Sequence, residues 1–99
     1  MAHVFIVGSG RTPGTLAKGW TESIEATLDA NRKETRWRTW ARWIEQNPKI
    51  PSAREWWSWL KQNTAGKVVV REEWVLNATT LSVIFEDEND AFAYRLRWT

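Results

Sequence analysis

Six tryptophans lie within the 23 positions from Trp37 to Trp59, three of them (Trp37, Trp40 and Trp43) at a spacing of three and three more clustered at Trp56, Trp57 and Trp59. No other feature of the chain restricts its fold as strongly. Indoles at helical spacing need a helix with a broad buried face, and a helix that bulky needs a second layer to pack against. The run Arg36-Trp37-Arg38-Thr39-Trp40-Ala41-Arg42-Trp43, followed by Trp56-Trp57-Ser58-Trp59, also mixes the two residue types that most often anchor binding interfaces.

The helix boundaries can be read from capping chemistry. Asn31 with Glu34 three residues later predicts a helix start, because each side chain can satisfy exposed first-turn amides. This first helix is expected to run to about Gln46 and to stop before Pro48. At 100° per residue, Trp37, Trp40, Ala41 and Ile44 form its inward stripe. Trp43 falls at the edge of that stripe beside Arg36, and Arg38, Arg42 and Glu45 take the other side. Ser52-Ala53-Arg54-Glu55 matches the capping box and predicts a second helix, with Gly66 just past its end. Ala53, Trp56 and Leu60 then point inward, with Trp57 and Trp59 flanking them. The short link Asn47-Pro48-Lys49-Ile50-Pro51 makes the two helices neighbours.

Outside this hairpin the period is two. His3–Val7 reads as a buried strand closed by Gly8-Ser9-Gly10, and residues 8–19 read as a loop. Residues 20–30 carry both periods, since Trp20, Ile24 and Leu28 repeat as on a helix while Ile24, Ala26, Leu28 and Ala30 alternate. The reading leans towards a strand because a helix start follows directly. Val68, Val70, Trp74 and Leu76 alternate, as do Leu81, Val83 and Phe85 after a turn near Asn77-Ala78. Phe92, Tyr94, Leu96 and Trp98 predict a last strand, entered through an acidic turn that Asp87 can cap. The expected fold is α+β: one domain over residues 1–99, with a small, mostly antiparallel sheet and a two-helix hairpin (about 32–63) packed on one face. The β-rich part spans about 67–98.

Charge is unevenly placed. The total is +2, but residues 32–61 hold eight basic and three acidic side chains while both flanking segments are net acidic. A basic, aromatic hairpin suits a macromolecular partner. Trp43, Trp57 and Trp59, with Arg36, Arg54 and Lys61, would form its contact surface if they face outward. A protein partner is favoured, because tryptophan and arginine dominate interface hot spots. The alternative is a nucleic acid, with indoles stacked on bases and cations on phosphates. The plainest reading is that the indoles only pack against the sheet, with arginine stems over their edges.

Catalysis and cofactors find little support. The chain has no cysteine and one histidine, His3, so thiolate chemistry is absent and a triad would depend on a near-terminal imidazole. The glycine-rich stretch Gly8–Gly14 has neither the dinucleotide fingerprint spacing nor the lysine of a phosphate loop, which leaves weak anion contact through Arg11. Glu86, Asp87, Glu88 and Asp90 lack calcium-loop spacing and read as a cap-forming turn. No cofactor or metal is expected. With no bilayer-length apolar run and no leader pattern, a cytoplasmic protein is expected.

The tail Phe85-x-Asp87-x-x-Asp90-Ala91-x-x-Tyr94-x-Leu96-x-Trp98 resembles the ending of many short tailed-phage proteins. In those, an F-x-D-x-x-D-A segment leads into a final hydrophobic strand ending in tryptophan. The resemblance covers roughly the last 15 residues. It implies a viral accessory protein made in a bacterial cytoplasm and acting by binding, and it carries over no catalytic or binding residue.

Overall fold

A computed structural model describes residues 2–11, 21–27, 37–75 and 78–99. Strands β1 (His3–Arg11), β2 (Thr21–Thr27), β3 (Val68–Val75) and β4 (Ala78–Phe85) form one antiparallel sheet in the order β1-β4-β3-β2. Helices α1 (Trp37–Ile44), α2 (Ala53–Asn63) and α3 (Glu88–Trp98) share a core with one face of it. The α+β fold follows the expectation, with three helices in place of two. The strand reading of residues 20–30 holds over Thr21–Thr27.

Strand register follows burial. Val68, Val70, Glu72 and Trp74 of β3 lie opposite Phe85, Val83, Leu81 and Thr79 of β4, and all eight are buried. In such a pair a one-residue slip would turn this whole set towards the other face. On that other face, Arg71 pairs with Glu25 of β2 at 2.7 Å. Both side chains are more than a third exposed, so this ion pair adds little stability.

The glycines after Val7 do not end the strand, which corrects the loop expected over residues 8–11. Gly8, Ser9 and Gly10 continue β1 and pair with Leu81, Thr80 and Thr79. Their role is close approach. A Cβ on Gly8 would stand 2.3 Å from the Trp43 carbonyl oxygen, and one on Gly10 would stand 2.6 Å from the Trp43 indole nitrogen. The register shifts between Ile6 and Gly8, so Val7 is the extra residue of a β-bulge, and it turns into the core.

The helical hairpin is built largely as its sequence indicates. The expected start of α1 at Asn31 and Glu34 lies outside the described residues. Its last turn tightens through Gln46 N–H to Trp43 C=O and Asn47 N–H to Ile44 C=O, both 3.2 Å. The hydroxyl of Ser52 accepts from Glu55 N–H at 3.1 Å, as the capping box requires. Glu45, just after α1, reaches across the link and accepts from Ala53 N–H at 2.8 Å. One carboxylate thus ties the end of α1 to the start of α2. Gly66 is not a helix cap. Thr64 holds that place with extended backbone, and its hydroxyl donates to Leu60 C=O at 2.6 Å.

The largest correction concerns the C-terminus: the expected last strand is helix α3. Phe92, Tyr94, Leu96 and Trp98 alternate, but Asp90, Ala91, Tyr94 and Trp98 also fall on one helical face, and these four are buried. Capping decides between the two periods. The Asp87 carboxylate accepts from Asn89 N–H at 2.8 Å and from Asp90 N–H at 3.1 Å, while Arg95 and Arg97 occupy the last turn. Both ends therefore carry the charge that the helix dipole favours. Asp90 is buried and accepts from Ala65 N–H at 3.1 Å and Gly66 N–H at 2.8 Å. Two residues of the acidic run therefore serve backbone amides.

Candidate partner-binding surface

The indoles sort differently from the helical-wheel expectation. Trp43 and Trp57, expected to face outward, are buried at 8% and 2% exposure. Trp43 lies under the two β1 glycines. Trp57 packs between Trp37, with ring centroids 5.2 Å apart, and Trp56, at 6.4 Å. Trp37, expected in the core, is only partly buried against it. The reason is geometric. A single wheel assumes one buried side, but these helices touch the sheet, each other and the unforeseen α3, so more than one side is covered.

Two polar groups organise the indole cluster. Glu72 is fully buried in the middle of β3. It accepts the Trp40 indole N–H at 2.6 Å and also that of Trp74. Tyr94 of α3 accepts the Trp56 indole N–H at 3.0 Å. Burial pushes the Tyr94 hydroxyl up to about 12, partly offset by that Trp56 hydrogen bond. An unfolded tyrosine ionises near 10, so the folded state holds this proton more tightly. The resulting stability is complete below about pH 10 and is lost as pH rises towards about 12. Tyr94 is the only tyrosine, so tyrosinate absorbance should titrate late in the native protein. Tyr94→Phe should flatten the alkaline loss of stability measured by urea unfolding.

What remains on the surface is a groove between α2 and α3, with a volume of about 420 Å³. Arg54, Glu55, Ser58, Trp59 and Gln62 line it from α2, and Arg97 and Trp98 from α3. The Arg97 guanidinium lies 4.1 Å from the Trp98 ring centroid, a cation–π contact that holds its charge at the rim. Trp59 is half-buried, with its ring edge-on to Tyr94 at 6.2 Å and to Trp98 at 6.0 Å. These neighbours fix the indole in place while part of it stays accessible.

Of the expected contact residues, Trp59 and Arg54 meet in this groove, and Lys61 is exposed on α2 outside its lining. Arg36 lies outside the described residues, as does the side chain of Arg11. The stretch Gly8–Gly10 is extended strand, so it forms no anion-cradling loop. Arg97 and Trp98 were hidden by the strand reading of the tail. The Asp87 cap was the signal that could have exposed them, since a helix there brings residues 97 and 98 to the side of α2. Among the described residues no helix is long and apolar enough to cross a membrane. No known protein family, curated protein or solved structure matches the chain.

Proposed function

We propose that this is a non-catalytic binding protein that captures a segment of a protein partner in the α2–α3 groove. The observation that carries this reading is an immobilised, half-accessible indole that shares one groove with two guanidiniums: Trp59 with Arg54 and Arg97. An anchored aromatic ring with flanking arginines is the composition of an interface hot spot. The partner segment would offer an apolar side chain to Trp59 and a carboxylate to the arginines, which bind planar anions in a bidentate manner. Glu55, Ser58 and Gln62 supply polar contacts at the rim. The tail resembles those phage proteins in sequence only, since its last residues form α3 and not a strand; on that likeness we place the protein as a viral accessory protein of a bacterial cytoplasm.

Burial of Trp43 and Trp57 weighs against the nucleic-acid alternative, because base stacking needs successive accessible rings. The test is photo-cross-linking from position 62, followed by titration of the captured partner. Arg54→Glu with Arg97→Glu should weaken binding by about 2 kcal/mol or more, roughly 30-fold, with near-ultraviolet circular dichroism unchanged. Unchanged affinity in that double variant would exclude the groove. A log-linear collapse of affinity with salt, together with nuclease-sensitive capture, would favour nucleic acid instead.

A further inference from the structure

The described residues include four exposed large apolar side chains: Val4 at 58%, Ile6 at 71%, Phe92 at 60% and Leu96 at 71%. They belong to only two elements, β1 and α3, and those elements touch. Phe5 of β1 packs against Tyr94 of α3 with ring centroids 5.0 Å apart, and the Arg95 guanidinium lies 5.9 Å from the Phe5 ring centroid. His3, Glu88, Phe92 and Arg95 line a common cleft. We propose that β1 and α3 together form a two-fold interface with a second copy of this chain.

Three observations select a second copy. First, β1 is the outermost strand of the described sheet and is hydrogen-bonded to β4 on its inner side. Edge strands are normally shielded by charge. The opposite edge, β2, contains Glu22 and Glu25, whereas β1 carries no Asp, Glu, Lys or Arg before Arg11 at its far end. An uncharged edge can meet its own copy without like-charge repulsion. Second, the open length is self-complementary. Antiparallel pairing about a two-fold at Phe5 sets Val4 opposite the partner's Ile6, joining two β-branched side chains on each side of the axis. The bulge at Val7 ends the regular stretch, and beyond it Ser9 N–H is directed to the Gln46 side chain at 3.5 Å. Third, α3 is charge-complementary to itself. Glu88 stands in its first turn and Arg95 in its last, so antiparallel helices place Glu88 beside the partner's Arg95, with their dipoles opposed.

The two parts need each other. A few paired strand residues are too small to reach the roughly 1,200 Å² of a stable interface, and Phe92 with Leu96 supplies the further apolar area. The same two-fold that pairs β1 with its copy brings α3 towards its copy, because Tyr94 and Arg95 of α3 lie against Phe5 of β1.

Sedimentation equilibrium over a dilution series tests this. A reversible dimer is expected, and Ile6→Lys and Phe92→Lys should each raise its dissociation constant at least about tenfold, Ile6→Lys by setting an unpaired charge against the partner's Val4 and Phe92→Lys by placing like charges near the axis. Both side chains are more than half exposed, so near-ultraviolet circular dichroism should be unchanged. Glu88→Arg should weaken the dimer, and adding Arg95→Glu should restore it. A monomer at every concentration overturns the proposal, as does a dimer that neither lysine variant weakens. The groove variants Arg54→Glu and Arg97→Glu should leave the dimer intact, which separates failure of this interface from failure of the binding groove.

Discussion

Replacing Glu72 with alanine should lower the free energy of unfolding by about 3–5 kcal/mol, the sum expected when two buried indole N–H groups lose their acceptor and a cavity is left behind. The carboxylate is fully buried and accepts two indole N–H groups, one from α1 (Trp40) and one from its own strand (Trp74). Its loss removes the acceptor of both indoles and opens a cavity where the side chain is fully buried. Each effect costs on the order of 1–3 kcal/mol. Glu72→Gln separates the two contributions. It preserves volume and one acceptor oxygen but turns an amide donor towards an indole N–H, so its cost should fall near half that of alanine. Urea unfolding followed by tryptophan emission measures both. If Glu72→Ala unfolds at the wild-type midpoint, the carboxylate does not organise the cluster.

Gly8→Ala should cost about 2–3 kcal/mol, although alanine is ordinarily the better strand residue. The added methyl would stand 2.3 Å from the Trp43 carbonyl oxygen and 2.8 Å from its carbonyl carbon. Those are backbone atoms and cannot swing aside as a flexible side chain could. Relief requires α1 to lift away from β1, which loosens the packing of Trp43. The same substitution at Ser9, whose place on the strand alternates with the two glycines, should change stability by less than about 0.5 kcal/mol. Thermal unfolding of the pair gives the comparison, and equal shifts would mean that α1 does not rest on the glycines.

These two expectations mark where sequence reasoning stops. The alternation Val68, Val70, Trp74 identifies β3 and its inward face, but it steps over Glu72, because a carboxylate in an apolar register counts locally as an interruption. Only when Trp40 of α1 reaches β3 does the interruption become an acceptor shared by two indoles, Trp40 and Trp74. Gly8 and Gly10 carry the same ambiguity. Glycine marks a turn or a close approach equally well, and the choice rests on Trp43, more than thirty positions away.

The binding surface was legible in part for the same reason. Arg54 and Trp59 could be singled out from composition and phasing. Arg97 and Trp98 could not, because the tail carries two periodicities at once and its strand-like one is more conspicuous. Asp87 and its two amide donors settle that contest locally. The rest of the groove depends on Tyr94 reaching Trp56 across 38 positions.

The sequence alone determined the elements whose signals are local: the capping box at Ser52, the strands β3 and β4, the Asp87 cap, and the α+β class. Capping and strand alternation act within a few residues, so a short window contains all the physics that produces them. Which indoles face water was decided by the tertiary structure alone. An indole is large enough to be covered from several directions, and the covering groups for Trp43, Trp56 and Trp59 come from β1 and α3, at opposite ends of the chain.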